Sequence, residues 1–226
     1  MYVSKAEGTA AALATGSQDM FGDHEGSFRL IIVLQLVAMG GVRAYCSAPR
    51  SKLAGEPGSR PSAESPWLTA ALGLLALLHF GAVFVYLANP PFLDWSAFEA
   101  AEPIRWLGIL MSSLGAAGEI WAAIALGASY SPLLTVAEER VVVEAGPYRW
   151  IRHPLYAFFL PLMAGWGLAA RNWFILGTGT ILIVVLTRVR VALEETMMLE
   201  GFGESYRRYM TRTGRFLPRL RRGRET

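Results

Sequence analysis

The chain has 226 residues, 53% of them hydrophobic and 17% charged, with a net charge of +3. Soluble domains carry roughly 25% charged residues, so this shortfall points to an integral membrane protein. The single cysteine, Cys46, excludes an internal disulfide framework. The basic excess is concentrated in ten Arg between Arg188 and Arg224, beside the last apolar segment; that is the pattern of a cytoplasmic topology signal, not of a nucleic-acid surface.

Residues 1–27 are rich in Gly, Ala, Ser and Asp and show no sustained period. They read as a flexible N-terminal tail without the basic start and apolar core of a signal peptide. Apolar runs then cover Phe28–Ala48, Trp67–Ala88, Ile104–Gly127, Leu155–Ala170 and Trp173–Val189. A spanning helix needs about 20 residues for a hydrocarbon core of ~30 Å. The fourth run is short, and only Arg171-Asn172 separates it from the fifth, so these two predict a helical hairpin that does not cross at full thickness. No Gly or Pro occurs from Thr180 to Glu200. A helix over 172–200 would be about 43 Å long, so its last turns should leave the membrane. Gly201 and Gly203 are expected to end it, with a short helix over Glu204–Arg212 following, closed by Gly214 and Pro218.

The predicted fold is therefore all-α: a polytopic membrane bundle of about five transmembrane helices over 28–220, with a basic tail at 221–226. Arg43, Arg50, Lys52 and Arg60 lie in or beside loop 49–66, and Arg140, Arg149 and Arg152 in loop 128–154, whereas loop 89–103 holds acidic residues and no Lys or Arg. This distribution puts the N-terminus outside and the C-terminus in the cytoplasm. Arg105 and Arg171 fall at outer ends of spans, where a long side chain is expected to snorkel to the interface.

Two clusters could carry chemistry. The first is Gly146-Pro147-Tyr148-Arg149-Trp150-Ile151-Arg152-His153-Pro154-Leu155-Tyr156, and the second is Arg190, Glu194 and Glu195. Arg190 and Glu194 are spaced i,i+4 and share a helix face. Alone, such a pair would be a surface salt bridge worth about 0.3–0.5 kcal/mol. His153 could equally cap the fourth helix, with Pro154 at its first position. Ionisable groups at a membrane edge are costly, however, and both clusters face one compartment. His24, His79 and His153 are scattered, with no metal-ligand spacing, and no phosphate-binding glycine loop is present. His79 reads as a packed or hydrogen-bonded core residue. Glu119, inside the third span, should face the bundle interior as a substrate contact or a structural partner. Gly115 and Gly118 would allow close helix packing, within the chain or between chains.

The ordered series continues with Phe202-Gly203-Glu204, Tyr206, Tyr209 and Arg215-Phe216-Leu217-Pro218. Over roughly residues 130–220 it resembles the isoprenylcysteine carboxyl methyltransferase family, which is related to membrane phospholipid methyltransferases. The resemblance implies S-adenosylmethionine as methyl donor, cytoplasmic C-terminal helices covering its pocket, and a lipophilic acceptor entering from the bilayer. By motif position it implies donor binding by Gly146, Tyr148, Arg152, His153, Pro154, Tyr156, Glu195 and Tyr206, and catalytic roles for Arg190 and Glu194. Glu195 or Glu194 would meet the donor's ammonium, and Arg190 would hold an anionic acceptor with Glu194 fixing Arg190. For a phenol or amine acceptor, Glu194 would take its proton. The Ala/Gly/Arg-rich composition is bacterial in style, suggesting an inner-membrane protein and favouring a small lipophilic carboxylate, thiol, phenol or lipid headgroup over a prenylated protein. The alternatives are a nicotinamide-dependent membrane reductase of steroid-reductase architecture and a non-catalytic membrane protein.

Overall fold

The computed structural model describes residues 3–47, 65–88, 91–127 and 142–219. Arg50, Lys52, Arg60, Arg140 and the basic tail 221–226 lie outside the described residues. The described residues form five α-helices: α1 (Val3–Ser47), α2 (Pro66–Ala88), α3 (Glu102–Leu126), α4 (Pro154–Ala169) and α5 (Trp173–Arg212), with short 3₁₀ turns at Pro91–Ser96 and Gly146–Arg149. Among the described residues the only β pairing is two isolated bridges, Ala97–Asn172 and Ile151–Gly214.

Among the described residues, four helical segments are long and apolar enough to cross a membrane: His24–Cys46, Pro66–Ala88, Glu102–Leu126 and Trp173–Arg212. Helix α4, with 16 residues, rises about 24 Å and is shorter than the hydrocarbon core. Leu34, Val37, Leu74, Leu77, Leu107, Leu110, Leu114 and Ile181 are exposed along the outside, an apolar surface that a soluble monomer would not present and that lipid covers. The protein is integral to the membrane.

Helix α1 extends back to Val3, through the segment expected to be a flexible tail. That segment lacks an apolar stripe but is rich in Ala, the strongest helix former, so the absence of a period did not preclude a helix. At the other end of the chain the expected break is present. Gly203 has φ +52 and ψ −123 inside α5, a conformation that a Cβ strongly disfavours. Gly201 remains helical. Asn172 caps the start of α5, its side-chain oxygen accepting from Ile175 N at 3.0 Å while its Nδ2 donates to Ser96 Oγ at 2.7 Å.

The tightest packing is between antiparallel α3 and α4. A Cβ on Gly108 would lie 2.7 Å from Ala169 N, one on Gly115 2.7 Å from Leu162 N, and one on Gly165 2.4 Å from Gly108 O. Gly118 lies under the Phe158 ring. Gly115 and Gly118 thus serve an intramolecular seam. Ser112, between these glycines, is fully buried and donates its hydroxyl to Ile109 O at 3.0 Å. Gly179 of α5 leaves room for His79 of α2, which is fully buried, 3.3 Å from Thr178 Oγ1 and stacked on Trp166.

Helix α1 runs parallel to α3 and is tied to it by polar rungs. Arg105 donates to Glu25 at 2.5 Å, Gln35 donates to Ser112 at 3.2 Å and Ser113 at 3.0 Å, Arg43 donates to Glu119 at 2.8 Å, and Cys46 donates to Ala123 O at 3.6 Å. Arg105 does not snorkel. It is 3% exposed, donates Nε to Ala169 O at 2.9 Å and lies over the Phe28 ring at 4.1 Å. Glu25 also accepts from Arg29 and Tyr86, so a carboxylate on α1 offers Arg105 a better partner than the interface does.

These contacts predict a contrast between glycines. Gly115→Leu should destabilise the protein by about 1–3 kcal/mol through overpacking against α4, whereas Gly177→Leu, where a Cβ meets nothing within 4 Å, should change stability by less than about 0.5 kcal/mol. Thermal melts of the two variants in the same detergent check this.

Candidate functional site

The two sequence clusters meet at one end of the bundle, where α4 begins and α5 outlasts its apolar part. The turn over Gly146–Arg149 starts with Gly146 at φ +55, and a Cβ there would sit 2.7 Å from Ala125 Cβ on α3. Tyr148 and Pro147 are buried in this turn. His153 is the N-cap residue of α4 and Pro154 its first helical residue, but the imidazole makes no cap hydrogen bond. Its ring turns to α5 instead.

Beyond Gly203 the last turns of α5 return towards this segment. Tyr209 donates its hydroxyl to Tyr148 O at 2.7 Å. The strand-like stretch after Thr213 pairs with the approach to α4: Gly214 N donates to Trp150 O at 3.0 Å, Arg152 N to Gly214 O at 2.8 Å, and His153 N to Arg215 O at 3.1 Å. Gly214 is confined by its neighbours, since a Cβ there would fall 1.8 Å from Leu217 O.

Glu195, 5% exposed, stands at the centre. Its Oε1 accepts from Arg152 Nε at 3.1 Å and Arg215 Nε at 3.2 Å and lies 3.2 Å from His153 Nε2, while its Oε2 accepts from Arg215 Nη2. Arg152 is also held through Nη1, which donates to Thr213 O at 2.6 Å and Met210 O at 3.2 Å. Glu194, the next residue, accepts from the Tyr156 hydroxyl at 2.5 Å and has an oxygen 3.3 Å from His153 Nδ1. Both ring nitrogens of His153 therefore face carboxylate oxygens, an arrangement that calls for N–H on each, the imidazolium form. Burial pushes the His153 pKa down, but hydrogen bonds and attraction from Glu194 and Glu195 outweigh it, and the balance is raised above the ordinary value. Three cations and two carboxylates leave the cluster with an excess of one positive charge.

The structure thus brings together Gly146, Tyr148, Arg152, His153, Pro154, Tyr156, Glu194 and Glu195. Tyr206 is buried beneath them, its ring 5.7 Å from that of Tyr209. Arg190 lies half-buried on α5 one turn nearer the membrane than Glu194. In contrast to the expectation of an open ammonium acceptor, the oxygens of Glu195 are taken up by cations of the chain itself. The spacing reading gave no role to Arg215, although it lies in the quoted Arg215-Phe216-Leu217-Pro218 stretch. It missed Thr213, Gly214 and Tyr209 as positioning residues, because only the turn at Gly203 brings them to α4.

Residues 107–200 match the model of the isoprenylcysteine carboxyl methyltransferase family, a window starting and ending earlier than the 130–220 expected from the motifs. Over these residues the chain is similar to that family. It is similar to the protein-S-isoprenylcysteine O-methyltransferase of Tribolium castaneum, with 26% identity over 56% of this chain and 47% of that protein. It is 40% identical to the methanethiol S-methyltransferase of Pseudomonas deceptionensis over 33% of this chain and 28% of that one. It is 25% identical to the cobalt-zinc-cadmium resistance protein CzcN of Cupriavidus metallidurans, over 56% and 54% of the two chains. A solved structure of the eukaryotic intramembrane Ras methyltransferase ICMT aligns with TM-score 0.49 and 24% identity, over 69% of this chain and 53% of that one. The chain spans about half the length of the curated relatives from Tribolium and Cupriavidus.

The raised pKa of His153 has a consequence for stability. A group whose pKa is raised on folding contributes fully below its unfolded value, near 6.5, and loses the contribution as pH rises through the folded value. The wild-type melting temperature should therefore fall between about pH 6.5 and the raised folded pKa of His153, with a smaller fall in His153→Gln. Paired melts of the two proteins across pH 6–9 check it.

Proposed function

We propose that the chain is a membrane methyltransferase that uses S-adenosylmethionine and methylates a lipophilic acceptor at the cytoplasmic interface. The single observation carrying this reading is the Glu195-centred cluster, which joins both motif regions of a methyltransferase family in one buried, net-positive site. The orientation rests on the Lys and Arg of the sequence.

The donor brings a methyl group on a sulfonium, with an adenine, an ammonium and a carboxylate. The residues fit these groups. Arg152 and Arg215, pre-positioned by Glu195, suit the carboxylate through charge-assisted hydrogen bonds. The Arg215 side chain is 51% exposed, so it is open to a ligand on one side. Glu194, with Tyr156 and His153 fixing it, suits the ammonium. Tyr148, Tyr156 and Phe216 supply aromatic surface for the adenine or the sulfonium; Phe216 lies 6.0 Å from the His153 ring. Glu195 then acts by holding three cations in place, not by meeting the donor. Arg190, nearer the membrane, suits negative charge that is present or develops on the acceptor atom. Charges fixed before binding need no reorganisation during the reaction, and alignment with exclusion of water does much of the rest.

Calorimetry on folded, detergent-purified protein should show binding of S-adenosylmethionine and of its demethylated product. Arg215→Ala should weaken binding about 10–100-fold, the size expected for a charge-assisted hydrogen bond, and Glu195→Gln should remove it. No binding to folded wild-type protein would overturn the proposal, and NADPH binding in its place would favour the reductase. Wild-type-like binding by Glu195→Gln would overturn the site assignment.

A further inference from the structure

Glu119 is 2% exposed and carries a polar atom that the fold leaves open. Its Oε2 accepts from Arg43, but its Oε1 is fully buried and has no hydrogen-bond partner among the described residues. A buried carboxylate oxygen without a donor is strongly disfavoured, and such atoms are rare unless a ligand or water completes them. Arg43 holds only the other oxygen, and its side chain, 37% exposed, has its guanidinium carbon 4.8 Å from the Phe159 ring centroid. The pair therefore sits at a partly open seam where α1, α3 and α4 meet.

Its depth relates it to the proposed reaction site. Phe159 is three residues beyond Tyr156 on α4, a rise of about 4.5 Å, and Glu119 is six residues below Ala125, against which Gly146 packs, a rise of about 9 Å. The open oxygen thus lies on the membrane side of Tyr148 and Tyr156, within reach of the head of a lipophilic molecule whose tail stays in lipid. We propose that Glu119 Oε1 receives a hydrogen bond from the acceptor's head group, with Arg43 fixing the carboxylate. The station therefore selects acceptors that carry a proton on the head atom: phenols, alcohols, thiols or amines. A carboxylate head would bring a second negative charge to a carboxylate and supply no donor. This rests on the methyltransferase reading, which it deepens by naming the acceptor class.

The test compares 4-nonylphenol with its methyl ether, 4-nonylanisole, which has nearly the same shape and no donor. Both are titrated into protein in lipid nanodiscs, with empty nanodiscs as blank. Wild-type protein should bind the phenol about tenfold more tightly than the ether, and Glu119→Gln should abolish or reverse that preference by turning an amide donor towards the ligand. Binding of S-adenosylmethionine should stay within about twofold in the variant, which also reports that it is folded. Equal affinities or no binding of either probe to wild-type protein that binds S-adenosylmethionine would overturn the station alone, as would a preference that survives Glu119→Gln. The preference for the phenol in a protein that fails to bind S-adenosylmethionine would leave the station standing and overturn the methyltransferase reading.

Discussion

The close approach of α3 and α4 is the constraint on which the rest of the bundle depends. Lipid tails are as apolar as leucine, so helices in a bilayer gain little by hiding apolar side chains from lipid and associate through packing and hydrogen bonds. Gly108, Gly115 and Gly165 let the two backbones touch, with the small buried Ser112 between them. The same contact sets the height and rotation of α4, a helix too short to anchor itself across the hydrocarbon. His153, Pro154 and Tyr156 sit at the end of α4 that this seam fixes, and the turn carrying Tyr148 packs on α3 through Gly146. The candidate site therefore inherits its geometry from a contact well inside the membrane.

At each end of the bundle, a carboxylate gathers cations from distant segments. Glu195 binds Arg152, His153 and Arg215, and Glu25 binds Arg29 and Arg105 with the Tyr86 hydroxyl. Burying a charge pair gives little net stability, because desolvation offsets the attraction, but removing one partner leaves the other uncompensated. What such clusters supply is position. Without Glu195, Arg152 and Arg215 would repel each other across one small volume, and Arg215 would lose its tie to α5. The opposite cluster does the same for α1, whose contact with α3 also uses polar rungs and the buried Phe28, Ile32 and Met39. Both ends use one device, and aromatic rings lie beside the cations at each; the Glu195 end is the one where the two sequence clusters meet.

What could be read from the sequence was set by the range of the physics. The apolar runs located the apolar parts of four long helices and one short helix, because burial in lipid is a local demand on composition; the ends of α1 and α5 beyond those parts lie outside the runs. The break at Gly203 was equally legible, since the residue type itself names the backbone conformation. The pairing of Arg215 with Glu195 was not, because it depends on the path of the chain after that break. Arg105 shows the same limit: an arginine at a span end usually snorkels, and only the position of Glu25 on another helix decides otherwise. The helix before residue 24 was missed for the opposite reason. Alanine stabilises a helix without leaving any apolar period to detect.

The distribution of polar groups also divides the labour of the bundle. Residues holding the Glu195 cluster lie on α4, α5 and the segment after them, which α3 supports. Arg43 belongs to α1, outside the 107–200 window of the family match, and α1 touches the rest of the bundle near the site through the Arg43–Glu119 pair, Cys46 and a small apolar cluster with Leu155. A change at Arg43 would alter the surroundings of Glu119 while leaving in place the glycines of the seam that fixes α4 and the cations around Glu195. The Glu195 cluster is thus built on the tightly packed half of the bundle, whereas Glu119 depends on Arg43 from a helix that joins the rest through polar rungs and through Phe28, Ile32 and Met39 in the apolar core.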